Sequence, residues 1–190
     1  MRAIYIYLFL FILIFSSCVS KKDKFIANLE TVVEYVSQNQ DSLTAEMLEV
    51  YSSKIIKLKE NEFSIYSSKM TIEEADKVNV LFNKYNDLKN RIQIDEFIID
   101  LETVVEHVSQ NHTSLTTKML DIYNSKIILL EENQFLNYRS KMTIEEINEV
   151  NLLFGRYDAL IIQIHMNEVK NKLKDGLSQG TNMLKELFAK

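Results

Sequence analysis

The chain contains no proline and only three glycines, Gly155, Gly176 and Gly180, in 190 residues. Sheet-rich folds reverse direction through turn residues, whereas long helices need few of them. The scarcity therefore points away from strands and toward helix. A single cysteine, Cys18, rules out an intramolecular disulfide, so the fold must be held by its core alone. The glycines are too few and misplaced for a phosphate-cradling loop, and no G-x-S-x-G nucleophile elbow occurs. The net charge of −5 argues against nucleic acid as a partner, which would need a basic face. It also argues against charge-driven docking onto anionic lipid. At 46% hydrophobic and 26% charged, the composition is that of a globular protein rather than a disordered one.

The first residues read as a targeting segment. Arg2 supplies a minimal positive start, and Ile4 to Phe15 is an unbroken apolar run followed by Ser16, Ser17 and Cys18. That run is about 12 residues, short of the roughly 20 needed to span a bilayer. Small residues before a cleavage point fit a signal peptide over 1–17. The stretch FSSC resembles a bacterial lipobox, in which the cysteine becomes the lipidated first residue of the mature chain; Phe15 stands where leucine is usual. The plainer reading is a secretory signal with an incidental cysteine. We expect an acyl (palmitate-type) anchor on Cys18, because the only thiol falls where the apolar run ends. Residues 18–24, with Lys21, Lys22 and Lys24, read as a solvated tether.

Beyond the tether the chain is a duplication. Residues 25–94 and 97–166 align without a gap at a spacing of 72, with about 41 of 70 positions identical. LETVVEYVSQN at 29–39 returns as LETVVEHVSQN at 101–111, and SKMTIEE at 68–74 returns unchanged at 140–146. Each copy reads as three helical segments. In the first, Phe25, Ile26, Leu29, Val32, Val33 and Val36 keep the three-four spacing of one apolar face, and Asn39 suits its C-terminal cap. The second starts near Ser42, with Asp41, Ser42 and Thr44 as cap oxygens, and its stripe reads Leu43, Met47, Val50, Tyr51, Ile55 and Leu58. At Glu60-Asn61 it either runs on as one long helix to about Ser67 or breaks or kinks into a further short turn of helix, with Phe63 and Tyr66 continuing an apolar face. The third opens on a capping box, Thr71 to Glu74 and again Thr143 to Glu146, with Met70 and Met142 placed for a hydrophobic staple. Its stripe reads Ile72, Ala75, Val78, Phe82, Tyr85, Leu88 and Ile92.

Between Ile92 and Phe97 the apolar phase rotates. Either the helix runs on or bends there, or it breaks at 94–96. Residues 167–190 have no evident counterpart in the copies. Val169, Leu173, Leu177, Leu184 and Leu187 keep helical spacing, with Gly176 and Gly180 four apart, and the segment carries too many charges to span a bilayer. It is expected to dock on the bundle or to stand as an exposed amphipathic tail.

Candidate chemistry is sparse. His107 and His112 are five apart and do not share the i, i+4 face of a helical metal site; with His165, they have Tyr35, Gln40 and Gln93 as counterparts in the first copy. No metal ligand, cofactor or catalytic residue is expected. The pairs Glu73-Glu74 and Glu145-Glu146 are explained by helix starts. Tyr66 and Tyr138, near the bundle ends, are the candidate partner contacts.

SKMTIEE at 140–146 with FGRYDAL at 154–160 resembles a family of small helical lipoproteins of Bacteroidota, catalogued as a domain of unknown function. The first copy departs from the pattern at Asn83, Lys84 and Asp87. The resemblance implies an envelope location and an all-helical fold; no activity transfers with it. The sequence thus predicts an all-α chain. It has two tandem three-helix repeats, a long shared or bent connecting helix and a C-terminal amphipathic helix. It is expected to be held in the bacterial envelope, with the outer membrane favoured, and to act as a non-enzymatic interaction or spacer module with an envelope protein as possible partner. The rival expectations are a ligand pocket between helices and an enzyme built on a carboxylate pair.

Overall fold

The computed structural model describes residues 20–188, with side chains from Ser20 to Asn182; the expected signal segment and Cys18 lie outside the described residues. The described chain is all-α, with no strand. Its main helices are α1 (Lys21–Gln38), α2 (Ala45–Lys57), α3 (Ile72–Asn111), α4 (Thr117–Leu129) and α5 (Ile144–Phe188). Two compact units divide at Gln93 and Ile94, a boundary that falls within α3. The helix is therefore unbroken through Ile92–Phe97, one of the two expected outcomes.

In the first unit, α1 begins at Ser20, whose hydroxyl accepts from the Asp23 amide while Asp23 accepts from the Ser20 amide. Of the residues expected as a tether, Ser20 to Lys24 are thus a cap and a first helical turn, and Lys22 reaches Glu74 at 2.7 Å. Asn39 ends the helix by donating its side-chain amide to the Tyr35 carbonyl. Thr44 caps α2, accepting from Met47 N. Phe25, Leu29, Val32, Val33 and Val36 are all buried, as their spacing requires.

The stripe of α2 differs from the expectation. Leu48, Ser52, Ile55 and Leu58 face the core, while Met47 and Val50 are exposed. Ile72, expected to lead the stripe of α3, is 83% exposed at the first turn. Spacing admitted both sets; the position of the neighbouring helices chose one.

At Glu60-Asn61 the chain stays helical, nearer the long-helix expectation: a π-helical turn over Leu58–Phe63, then one α turn, Ser64–Tyr66, and a 3-10 turn, Ser67–Lys69. The apolar spacing explains it. Leu58 and Phe63 are five apart, which a regular α-helix sets roughly 140° out of line. The i→i+5 bonding of a π turn absorbs the extra residue, so both side chains reach one core.

The second unit has the same order of elements, each 72 positions on: α4, a π turn at Leu130–Phe135, one α turn at Leu136–Tyr138, a 3-10 turn at Arg139–Lys141, then α5. Its core holds Phe97, Leu101, Val104, Val105, Val108, Leu120, Ile127, Leu130, Phe135, Val150, Tyr157 and Ile164. No separate C-terminal helix exists; α5 runs on through the tail to Phe188.

Candidate functional site

Two places in each unit carry polar or aromatic groups at matched positions. The first is a buried tyrosine. Tyr85, on α3, is 2% exposed, and its hydroxyl lies 2.8 Å from the Ser52 hydroxyl on α2. In the second unit Tyr157 donates to Asn124 Oδ1 at 2.7 Å. Ser52 and Asn124 are chemically different residues at the same repeat position, yet each supplies the partner that a buried phenol requires. Burial pushes the Tyr157 hydroxyl up to about 12, with Asp158 adding to it, and raises Tyr85 also, against the opposing hydrogen bond from Ser52. Both phenols stay neutral at physiological pH. They lock a helix pair together and are not poised to exchange protons.

The second place is an aromatic cluster built around the π turn. Phe25 stacks on Phe63 at 6.4 Å and meets Tyr66 at 6.1 Å, and Phe63 meets Phe82 edge-on at 5.8 Å. Phe97, Phe135, Tyr138 and Phe154 repeat the arrangement. Tyr66 and Tyr138, the candidate contacts, are therefore half-buried packing residues of these clusters. Burial raises the Tyr138 hydroxyl, and the charge of Glu96 raises it further.

The acidic and histidine candidates have structural partners or lie in solvent. Glu74 closes its capping box, accepting from Thr71 N at 2.8 Å, and also pairs with Lys22; that lysine first, and the Thr71 amide next, hold its carboxyl below the usual range. Glu146 accepts from Thr143 N at 2.7 Å. His107 meets Tyr123 in a tilted ring contact at 5.4 Å where the first unit has Tyr35 against Tyr51, and His112 Nδ1 lies 2.8 Å from the Ser109 carbonyl. His165 is exposed. Among the described residues no group of three or more His, Cys, Asp or Glu could hold a metal ion, and no buried side-chain nitrogen or oxygen lacks a partner.

One surface goes beyond what the spacing predicted. Ile162, Met166, Val169, Leu173 and Leu177 run along one side of α5, each between 57% and 73% exposed. From His165 to Asn182 every residue is exposed except Glu168, which is half-buried. This tail does have a counterpart in the repeat. Val169, Leu173 and Leu177 lie 72 positions after Phe97, Leu101 and Val105, and those in turn lie 72 after Phe25, Leu29 and Val33. In both units these first-helix positions are at most 1% exposed. The relation escapes identity counting, because of the three only Leu173 keeps the residue of both copies. Gly176 and Gly180 stand where Val104 and Val108 fill the second core.

No family model, no curated protein and no solved structure matches this chain.

Proposed function

We propose that the chain is a lipid-anchored helical module of the bacterial cell envelope that binds a partner or spaces one from the membrane, and that it performs no catalysis. The observation that carries the reading is the sequence from Ile4 to Cys18, an apolar run too short to span a bilayer that closes on the only thiol. The resemblance to small Bacteroidota lipoproteins agrees with it. The internal chemistry of the two units supports it too. Their aromatic rings, buried hydroxyls and capping carboxylates are engaged in packing and helix ends, which suits a rigid body whose task is performed at its surface. Among the described residues no helix is long and apolar enough to cross a membrane, so attachment in this reading rests on the acyl chain.

Two measurements test it. Metabolic labelling with a fatty-acid probe should mark the wild-type chain and not Cys18→Ala; equal labelling of both, or of neither, removes the anchor. Co-purification from solubilised native envelope should then recover one stoichiometric partner with the wild type and lose it with Cys18→Ala. Turnover of a defined substrate by the purified chain, abolished by substitution of a carboxylate pair, would overturn the non-catalytic reading.

A further inference from the structure

The uncovered side of α5 differs from its counterparts in the units at its borders as well as in its exposure. In each complete unit an acidic residue beside the apolar face of the first helix meets a lysine of a neighbouring helix: Glu30 lies 2.5 Å from Lys77 in the first, and Asp100 3.6 Å from Lys126 in the second. At the corresponding positions of the tail the signs are reversed. Lys170, Lys172 and Lys174 stand where the second unit has Ile98, Asp100 and Glu102, and where the first has Ile26, Asn28 and Glu30. The exposed apolar face is bordered by His165 and these three lysines, with no carboxylate among its bordering residues. At about 100° per residue, Lys170 and Lys174 run along one edge of the apolar stripe and Lys172 along the other, while Glu168 and Asp175, seven apart, share the far side.

A helical hairpin of the first unit's type would bring Lys77 against Lys174, one of the second unit's type would bring Lys126 against Lys172 but Glu149 toward Lys174, and a second copy of the tail would bring lysine against lysine. The complementary surface is apolar within and anionic at its rim. We infer that residues 162–182 of α5 form an interfacial helix that lies along an anionic phospholipid surface. Ile162, Met166, Val169, Leu173 and Leu177 enter the acyl boundary, the lysine stems run beside them to the phosphates, and Asp175 faces water. The face belongs to a single convex helix with no groove, which suits a flat continuous partner. The net charge of −5, which argues against charge-driven docking of the chain as a whole, bears little on this one face, because the lipid meets only the face presented to it and other charges are screened beyond about 10 Å. The inference is independent of acylation at Cys18.

The test uses the full chain with Cys18→Ser and one new cysteine, Leu173→Cys or Asp175→Cys, each carrying an environment-sensitive label. Vesicles are either phosphatidylcholine alone or phosphatidylcholine with phosphatidylglycerol. Vesicle binding of the chain is followed separately by co-sedimentation, and the label reports where α5 itself lies. With phosphatidylglycerol present, the label at 173 should move to an apolar environment while that at 175 stays in water. Lys170→Gln with Lys174→Gln should weaken the change at 173 about 5-fold per lysine removed. Both lysines are exposed, so helicity by circular dichroism should be unchanged. A label at 173 that stays in water on vesicle-bound chain overturns the inference. So does equal insertion into neutral lipid with no effect of the lysines. Shielding that grows with chain concentration in the absence of vesicles assigns the face to a second copy instead. Shielding only by a solubilised envelope protein assigns it to an acidic protein partner.

Discussion

Removing the hydroxyl of Ser52 should destabilise the first unit far more than loss of an exposed serine hydroxyl would. Ser52→Ala leaves the Tyr85 hydroxyl, 2% exposed, without its partner at 2.8 Å. An unsatisfied buried hydroxyl costs about 1–3 kcal/mol. Tyr85→Phe is milder, about 1 kcal/mol, because a helical serine can turn its hydroxyl to the carbonyl four residues earlier. The double variant strands neither group, so it loses only the net value of the bond, about 1 kcal/mol. The two single losses together should therefore exceed the double loss by about 1–3 kcal/mol. The chain lacks tryptophan, and the two units need not unfold together, so a single thermal midpoint is a poor readout. Native-state hydrogen exchange read by mass spectrometry separates them. Peptides of α2 should report the change, and peptides of α4 serve as the internal reference. Additive single losses would refute the reasoning, and so would a Ser52→Ala effect below about 0.5 kcal/mol, the range of an ordinary surface change.

The same structure sets three further expectations. Tyr157 is 3% exposed, and its hydroxyl is raised to about 12 from the ordinary phenol value of 10.0. The unfolded chain loses that proton first, so the stability tied to a neutral Tyr157 is complete below about pH 10 and is lost as pH rises toward about 12, to a total of about 2–3 kcal/mol. Tyr157→Phe should flatten that alkaline loss in the second unit, as read by urea titration across the range; an unchanged pH slope counts against it. A Cβ at Gly155 would meet open space, so Gly155→Ala should stabilise α5 by about 0.5–1 kcal/mol, seen as slower exchange in its amides. Deleting Asn61 should convert the π turn to α while keeping Leu58 and Phe63 on one face, so helicity should persist with a stability change within about 1 kcal/mol. A molten first unit in that variant would show that the π turn serves something besides register.

The features legible in the residues alone are those that one helix settles within itself. The absence of proline and the three-four spacing specified an all-α chain, and the period of 72 placed the repeat. Thr71 with Glu74, Thr143 with Glu146, and the Asn39 side chain specified helix ends, because caps are closed by residues within a turn of each other. Whatever depends on a second helix had to wait for the fold. Leu48 rather than Met47 faces inward, and Ile72 faces water, because apolar stripes wider than one residue fit a core in more than one rotation. Nothing in the spacing singled out Ser52 or Asn124; each is explained by a tyrosine 33 residues away. The five-residue gap from Leu58 to Phe63 was visible, but whether it broke the helix or was absorbed by a π turn depended on the core that both residues fill. The tail shows the limit most clearly. Its spacing predicted an amphipathic helix whether docked or free, and burial, a property of neighbours rather than of spacing, was what left its apolar side uncovered.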